Sequence, residues 1–430
     1  MSNSLRASSY LRRVVDRELD QLFAGRVSAV AIEGAKAVGK SATAAERVAT
    51  SFLLEQPATR QLLAADPSRI VTGEPVLIDE WQHLPSTWDT VRRAVDAGAQ
   101  PGQFLLTGSA SAARSGTHSG AGRIITLRMR PMTLFERGVG TPTVSVAALL
   151  SGSRPEIGGE TDVALDEYVD EIGRSGFPAI RTLGDRVRRA QLRGYTERII
   201  DRDFPDLMGR PVRNPAALRR WLAAYAAATA TCASYERIRD AATSGEGDKP
   251  AKTTTQPYRD TLEGLHIVDP LLAWLPSKNH ISELASAPKH HLVDPALAMS
   301  LLGLSSDALL AGDEEDRVTR DGSFLGALFE SLVTLDARVY AQAAEATTAH
   351  LRTHRGEHEI DLILERADQR VVAIEVKLSA TVDDADVRHI VWLRDQIGGA
   401  LLDAVVVTTG QHAYRRTDGI AVVPAALLGP

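Results

Sequence analysis

Three short apolar runs punctuate the first quarter of the chain: Val27-Ser-Ala-Val-Ala-Ile32, Pro75-Val-Leu-Ile78 and Gln103-Phe-Leu-Leu106. Each is strand-sized and bounded by polar or glycine-containing stretches, the pattern of a buried β-strand. Ahead of them, Ser9 to Phe23 places Leu11, Val14, Val15, Leu19 and Leu22 on one helical face, which predicts an amphipathic helix. Strands alternating with helical segments predict an α/β domain, a parallel sheet with helices on both faces. Gly34, Asp79-Glu80 and Thr107-Gly-Ser109 each follow a strand. Open α/β sheets bind their ligands at strand C-termini.

Further along, Gly, Ser, Pro and Glu accumulate from Ala147 to Thr161, a composition that marks a boundary. Asp162 to Ala230 is helical in pattern, interrupted by Gly176-Phe-Pro178, Pro205, Pro211 and Pro215. Thr243 to Thr255 reads as a flexible polar loop, and Pro276 to Pro288, running into His290-His291, as a polar linker. These breaks predict domains at 1–150, 151–205 (a helical lid or linker), 206–280 and 281–430.

The net charge of −6 gives no global nucleic-acid signal, so any basic footprint is local. A content of 44% apolar and 24% charged residues is that of soluble globular protein. The single cysteine, Cys232, excludes an internal disulfide framework and a cysteine-based zinc site and fits a reducing cytoplasm. The longest apolar stretches, such as Leu401 to Val407, fall well short of the roughly 20 residues of a spanning helix. A cytoplasmic chain without membrane contact is expected.

The segment Gly34-Ala35-Lys36-Ala37-Val38-Gly39-Lys40-Ser41 fits G-x-x-x-x-G-K-[ST] at every position, between a strand and a helix. In such a P-loop, glycines let successive backbone amides face phosphate, the lysine reaches the β- and γ-phosphates, and the hydroxyl holds Mg²⁺. Asp79 is placed to share the Mg²⁺ and Glu80 to deprotonate the attacking water, while Thr107 or Ser109 can sense the γ-phosphate. ATP and Mg²⁺ are the expected cofactors. The same parts also serve a nucleotide-gated switch.

The runs Pro75-Val-Leu-Ile-Asp-Glu-Trp-Gln82, Phe104-Leu-Leu-Thr-Gly-Ser109 and His118-Ser-Gly-Ala-Gly-Arg123 resemble a bacterial and archaeal group of AAA-type ATPases. The resemblance continues through Met129-Arg-Pro-Met132, Phe135-Glu-Arg137, Gly176-Phe-Pro178 and Asp294-Pro-Ala-Leu297. It implies an ATPase module joined to a C-terminal domain of unknown function, a helical module between them, and Arg123 as a trans or sensor arginine toward the γ-phosphate. Ring assembly of identical chains is common in AAA-type ATPases, and a homo-oligomer stands open. The five tryptophans read as ordinary core or interface residues, and Trp81 and Trp88, beside the acidic pair, as candidates to pack the ATPase surface against a partner domain.

Between Arg181 and Arg220 eleven arginines face five acids. A helix at Ser234 to Ala242, a loop, a helix at Thr255 to Leu265 and the strand-like His266-Ile-Val268 follow in winged-helix order. A DNA-binding version would present Thr254, Thr255, Gln256, Tyr258 and Arg259 to the major groove. The other reading is a packing module with a solvated arginine face.

The final segment reads as helix (325–335), strand (359–364), turn, strand (371–377), helix (383–396) and strand (403–408). With Glu330 on the first helix, Asp361 on the first strand and Glu375-Val-Lys377 on the second, it resembles the PD-(D/E)XK nuclease core. Side chains alternate along a strand, which puts Glu375 and Lys377 on one face and turns Ile374 and Val376 to the core. The resemblance implies Mg²⁺ held by Glu330, Asp361 and Glu375, with Lys377 neutralising charge. Two functions follow: an ATPase coupled to a nuclease-like domain, or a nucleotide-gated DNA-binding switch with an inactive nuclease fold.

Overall fold

The computed structural model describes residues 10–110, 120–243, 252–276, 284–285, 287–311 and 324–430. His118 and Ser119, most of the 243–255 loop and most of the 276–288 linker lie outside them. The chain divides into two compact units, Met1–Pro131 with Asp260–Ile267, and Met132–Arg259 with Val268–Pro430.

The first unit begins with α1 (Val14–Ala24). Asp16 accepts the backbone N–H of Arg13 at 2.6 Å and so starts the helix there. Val14, Val15 and Leu19 are buried as expected, but Leu11 precedes the helix and is exposed. Then follow β1 (Ala29–Glu33), α2 (Lys40–Ala45), β2 (Thr50–Leu53), α3 (Pro57–Ala65), β3 (Val76–Asp79), α4 (Ser86–Asp96), β4 (Phe104–Gly108) and β5 (Ile125–Arg128). All five strands are parallel, in the order β2-β3-β4-β1-β5. The apolar residues of β1, β3 and β4 are buried throughout because helices cover the sheet. Trp81 and Trp88 sit in this core with ring centroids 4.7 Å apart, packed with Phe52, Leu63 and Val91. They are core residues, which corrects the expectation that they face a partner domain.

The second unit opens with α5 (Leu134–Arg137), β6 (Val144–Ser145), α6 (Val146–Ser151) and β7 (Gly159–Glu160). A helical region follows: α7 (Leu165–Arg174), α8 (Pro178–Arg181), α9 (Asp185–Arg198), α10 (Phe204–Met208), α11 (Pro215–Ala227), α12 (Tyr235–Ala241), α13 (Lys252–Gly264), α14 (Pro295–Leu302) and α15 (Ser306–Ala311). Of these, α13 runs on into the first unit at Asp260. Last come α16 (Phe324–Ala343), β8 (Thr347–Arg352), β9 (Glu359–Glu365), β10 (Val371–Val376), α17 (Asp384–Ile397), β11 (Leu401–Thr408), β12 (His412–Arg415), β13 (Ala421–Pro424) and β14 (Leu428–Gly429). Their sheet has the order β7-β12-β13-β11-β10-β9-β8. β8, β9 and β10 form an antiparallel meander, after which β11 lies parallel to β10.

The domain limits read from composition do not survive this pairing. β6 pairs with β14 and β7 with β12, so residues 132–160 fold with the chain's last strands rather than with the P-loop. Val268 bridges Leu292, Leu271 bridges Lys289 and Ala273 bridges His350. The strand-like stretch after α13 therefore extends toward β8 instead of closing a separate 206–280 module. His290 and His291 are buried within it and are not linker polarity. Every residue of β10 is buried, Glu375 included, since elements cover both of its faces.

Candidate functional site

β1 delivers the chain into the P-loop, whose geometry depends on its glycines. A Cβ on Gly34 would lie 2.1 Å from the carbonyl oxygen of Met129, and Gly39 holds φ at 106° just before α2. Only glycine meets both demands. Arg13, from the start of α1, braces the loop from behind. Its guanidinium donates to the carbonyls of Val38 and Arg130, each at 2.9 Å.

The structure brings together Lys40, Ser41, Asp79, Glu80, Thr107 and Ser109. Lys40 Nζ donates to the carbonyls of Gly34 and Ala35 at 2.9 and 3.0 Å. The Ser41 and Thr107 hydroxyls each donate to Asp79 Oδ1 at 2.5 Å. Thr107 also accepts the backbone N–H of Glu80 at 3.1 Å. Glu80 has φ 54°, a left-handed conformation that a non-glycine residue holds only under constraint. Ser109 Oγ donates to its Oε2, and Gln82 Nε2 donates to the same oxygen at 2.5 Å. Thr107 and Ser109, expected as phosphate sensors, therefore hold the two acids in this structure.

Burial lowers the Lys40 pKa, a trend that Glu80 and Asp79 oppose and that Arg128 and Lys36 reinforce. Burial likewise raises Asp79, against the two hydroxyl donors. The Ser41 hydroxyl and Asp79 carboxylate, side by side, are the hard oxygen donors that Mg²⁺ takes. Gln82 Oε1 is buried with no partner among the described residues.

Arg123 is elsewhere. It pairs with Asp96 at 2.8 Å, at the C-terminal end of α4, and its side chain is 46% exposed. β5 runs parallel to β1 with Arg128 opposite Glu33 at the P-loop end. Arg123 lies in the turn that precedes β5, not at the strand's P-loop end. The arginine at the correct end is Arg128, missed in the sequence because no motif marks it. Gln82 and Arg13 were missed for the same reason.

The C-terminal cluster also assembles. Asp361 Oδ2 accepts the Val376 N–H at 2.9 Å, and Lys377 pairs with Glu375 at 3.2 Å. Glu330 lies close by, but a residue no pattern suggested stands among the acids. Lys289 Nζ is 2.8 Å from Glu330 Oε1, 2.8 Å from Asp361 Oδ1 and 3.2 Å from Glu359 Oε1. Burial would lower the Lys289 pKa, yet Asp361, Glu330 and Glu359 hold it well above the ordinary value. Burial and the Asp361 charge raise Glu330 to about 8 and Glu375 well above the carboxylate range.

A divalent ion on the same oxygens would sit within about 4 Å of the ammonium, a repulsion of about 8 kcal/mol at an effective dielectric of about 20. Among the described residues no group of three or more His, Cys, Asp or Glu is arranged to hold a metal. Of the three residues expected to hold Mg²⁺, Glu330 and Asp361 are paired with Lys289, and Glu375 with Lys377.

The middle region departs from its expectation as well. Thr255 and Tyr258 are buried, with Tyr258 against Phe204 and Trp221, and Arg259 stacks 4.7 Å over Tyr235. Only Thr254 and Gln256 of the five groove-facing residues are exposed. Arg181, Arg188 and Arg219 pair with Glu171, Asp185 and Asp201, which absorbs part of the arginine excess. Arg186, Arg189 and Arg193 form an exposed row on α9.

Comparison with known proteins defines the class. Residues 26–137 match the family of AAA domains, and residues 325–428 and 165–308 match two domains of unknown function, DUF4143 and DUF8612. The chain therefore carries an AAA domain, with the P-loop of an ATPase, and a C-terminal DUF4143 domain.

Its curated relatives include the uncharacterized proteins Rv2008c of Mycobacterium tuberculosis and Mb2031c of Mycobacterium bovis. Each is 26% identical over 432 residues, covering 97% of this chain and 83% of the relative. A Walker-type ATPase of Pyrococcus abyssi matches with a TM-score of 0.39 and 15% identity, over 69% of this chain and 97% of that one. No helix among the described residues is long and apolar enough to cross a membrane.

Proposed function

We propose that the chain hydrolyses ATP at the P-loop and uses the nucleotide state as a switch, with a C-terminal domain that does not cut nucleic acid. The observation that carries the first half is the convergence of Lys40, Ser41, Asp79 and Glu80 at the C-terminal ends of β1 and β3, which flank β4 in the parallel sheet. The amides of residues 34–41 and the Lys40 ammonium bind the phosphates. Ser41 and Asp79 hold Mg²⁺, which when bound neutralises charge on the phosphates. Glu80, oriented by Gln82 and Ser109, takes the proton of the attacking water. Arg128 adds a second positive group beside the γ-phosphate.

Phosphate release is the test. Glu80→Gln should lower turnover by about 10²-fold or more while ATP still binds, and Lys40→Ala should lose ATP affinity in magnesium. Unchanged ATP affinity in Lys40→Ala would end the site assignment.

The helix–three strands–helix–strand order from α16 to β11 supports a restriction-endonuclease-like fold for the last domain. The ammonium of Lys289 among its acids favours the non-cleaving version. Metal-dependent nicking of plasmid that disappears in Asp361→Ala and Lys377→Ala would restore the nuclease. DNA remains a proposed partner through Arg186, Arg189 and Arg193. Replacing all three with glutamate should weaken duplex binding and flatten its salt dependence.

A further inference from the structure

Lys289 enters the acid cluster from a short antiparallel pairing, in which Leu271 and Lys289 exchange both backbone hydrogen bonds at 2.8 and 2.9 Å. Its side chain is 1% exposed. An ammonium has three N–H donors, and Glu330, Asp361 and Glu359 place a carboxylate oxygen within 3.2 Å for each of them. These acids lie on α16 and β9, so the lysine ties a distant segment to one helix and one strand of the domain. Beside them Glu375 is also buried, and its Oε2 has no partner among the described residues. The oxygens crowded here are the kind that hard divalent ions take.

We propose that Lys289 is the resident cation of this cluster, and that its side chain keeps a latent divalent-metal site among Glu330, Glu359 and Asp361 closed. Taking away the ammonium frees the three carboxylates that surround it, Glu330, Glu359 and Asp361. The inference shares its location with the non-cleaving reading above and rests on it for nothing else, because metal uptake and strand cleavage are separate readouts.

Mn²⁺ uptake by the full chain without nucleotide, followed through the spin-resonance signal of the free ion, tests this. The wild type should take up no Mn²⁺ at this cluster. Lys289→Ala should gain one ion per chain, and adding Asp361→Asn should remove it. A folded Lys289→Ala protein that gains nothing overturns the proposal, as does wild-type uptake that Asp361→Asn abolishes. Should Lys289→Ala fail to fold, Lys289→Gln, which keeps the volume but not the charge, takes its place, and the wild-type against Asp361→Asn comparison still decides. Mn²⁺ uptake by Lys289→Ala without plasmid nicking supports the inference. Asp361-dependent nicking by the wild type would sink the non-cleaving reading instead.

Discussion

Glu80 sits at φ 54° with its carboxylate held by Ser109 and Gln82. A left-handed glutamate costs about 1–3 kcal/mol, and such strain persists only where neighbours enforce it. Gln82 is one of those neighbours through its amide N–H, which also reaches Ser109 Oγ at 3.3 Å. Gln82→Ala should therefore lower kcat by roughly tenfold, about 1.4 kcal/mol in the barrier, while the KM for ATP stays near the wild-type value. A change in KM alone would show that Gln82 shapes binding rather than the base. Arg13 acts on the other side of the site, with donors to Val38 and Arg130 that fix the loop. Its removal should appear first in nucleotide affinity.

Among elements, α5 depends on a carboxylate 202 residues away. Asp336 on α16 accepts the Leu134 N–H through both oxygens, at 3.2 and 3.3 Å, where the helix begins. Burial raises Asp336 from its ordinary 3.8 to about 8, against the pull of Arg137 and the Leu134 N–H. The folded pKa exceeds the unfolded one, so this acid's contribution to stability is greatest below the unfolded value, declines as pH rises toward about 8, and then levels. Asp336→Asn keeps an acceptor and cannot ionise. Its melting temperature relative to wild type should rise as pH is taken upward through that window, and a constant difference would contradict the assignment. β10 shows the same burial at work: strand alternation promised a polar face, but α16 and α17 both pack on β10, and Glu375 lies inside.

Across the whole molecule, Arg123 is the residue whose role depends on assembly. It pairs with Asp96 in its own chain, and in the trans role proposed for it the phosphate it contacts belongs to a neighbouring chain. Arg123→Ala should leave turnover unchanged in dilute protein and lower it only at concentrations where chains associate. Turnover per chain measured over a dilution series checks this, and loss of rate at every dilution would return Arg123 to its own site.

The nucleotide site was legible in the sequence because its chemistry is local. A strand, a glycine loop and Lys40-Ser41 are contiguous, and Asp79-Glu80 and Thr107 to Ser109 each close a recognisable strand. The helix and strand positions of the last domain were legible for the same reason, since they follow from short-range periodicity.

What the tertiary structure decided was long-range pairing. The join of β6 to β14, the burial of His290 and His291, the placing of Arg128 instead of Arg123 at the phosphate end, and the entry of Lys289 among Glu330, Glu359 and Asp361 all join residues far apart in the chain. Periodicity says which face of an element is apolar and nothing about which distant charge comes to meet it. For that reason the P-loop and its acidic partners could be located from the sequence alone, and only the fold decided that a lysine stands among acids expected to hold a metal.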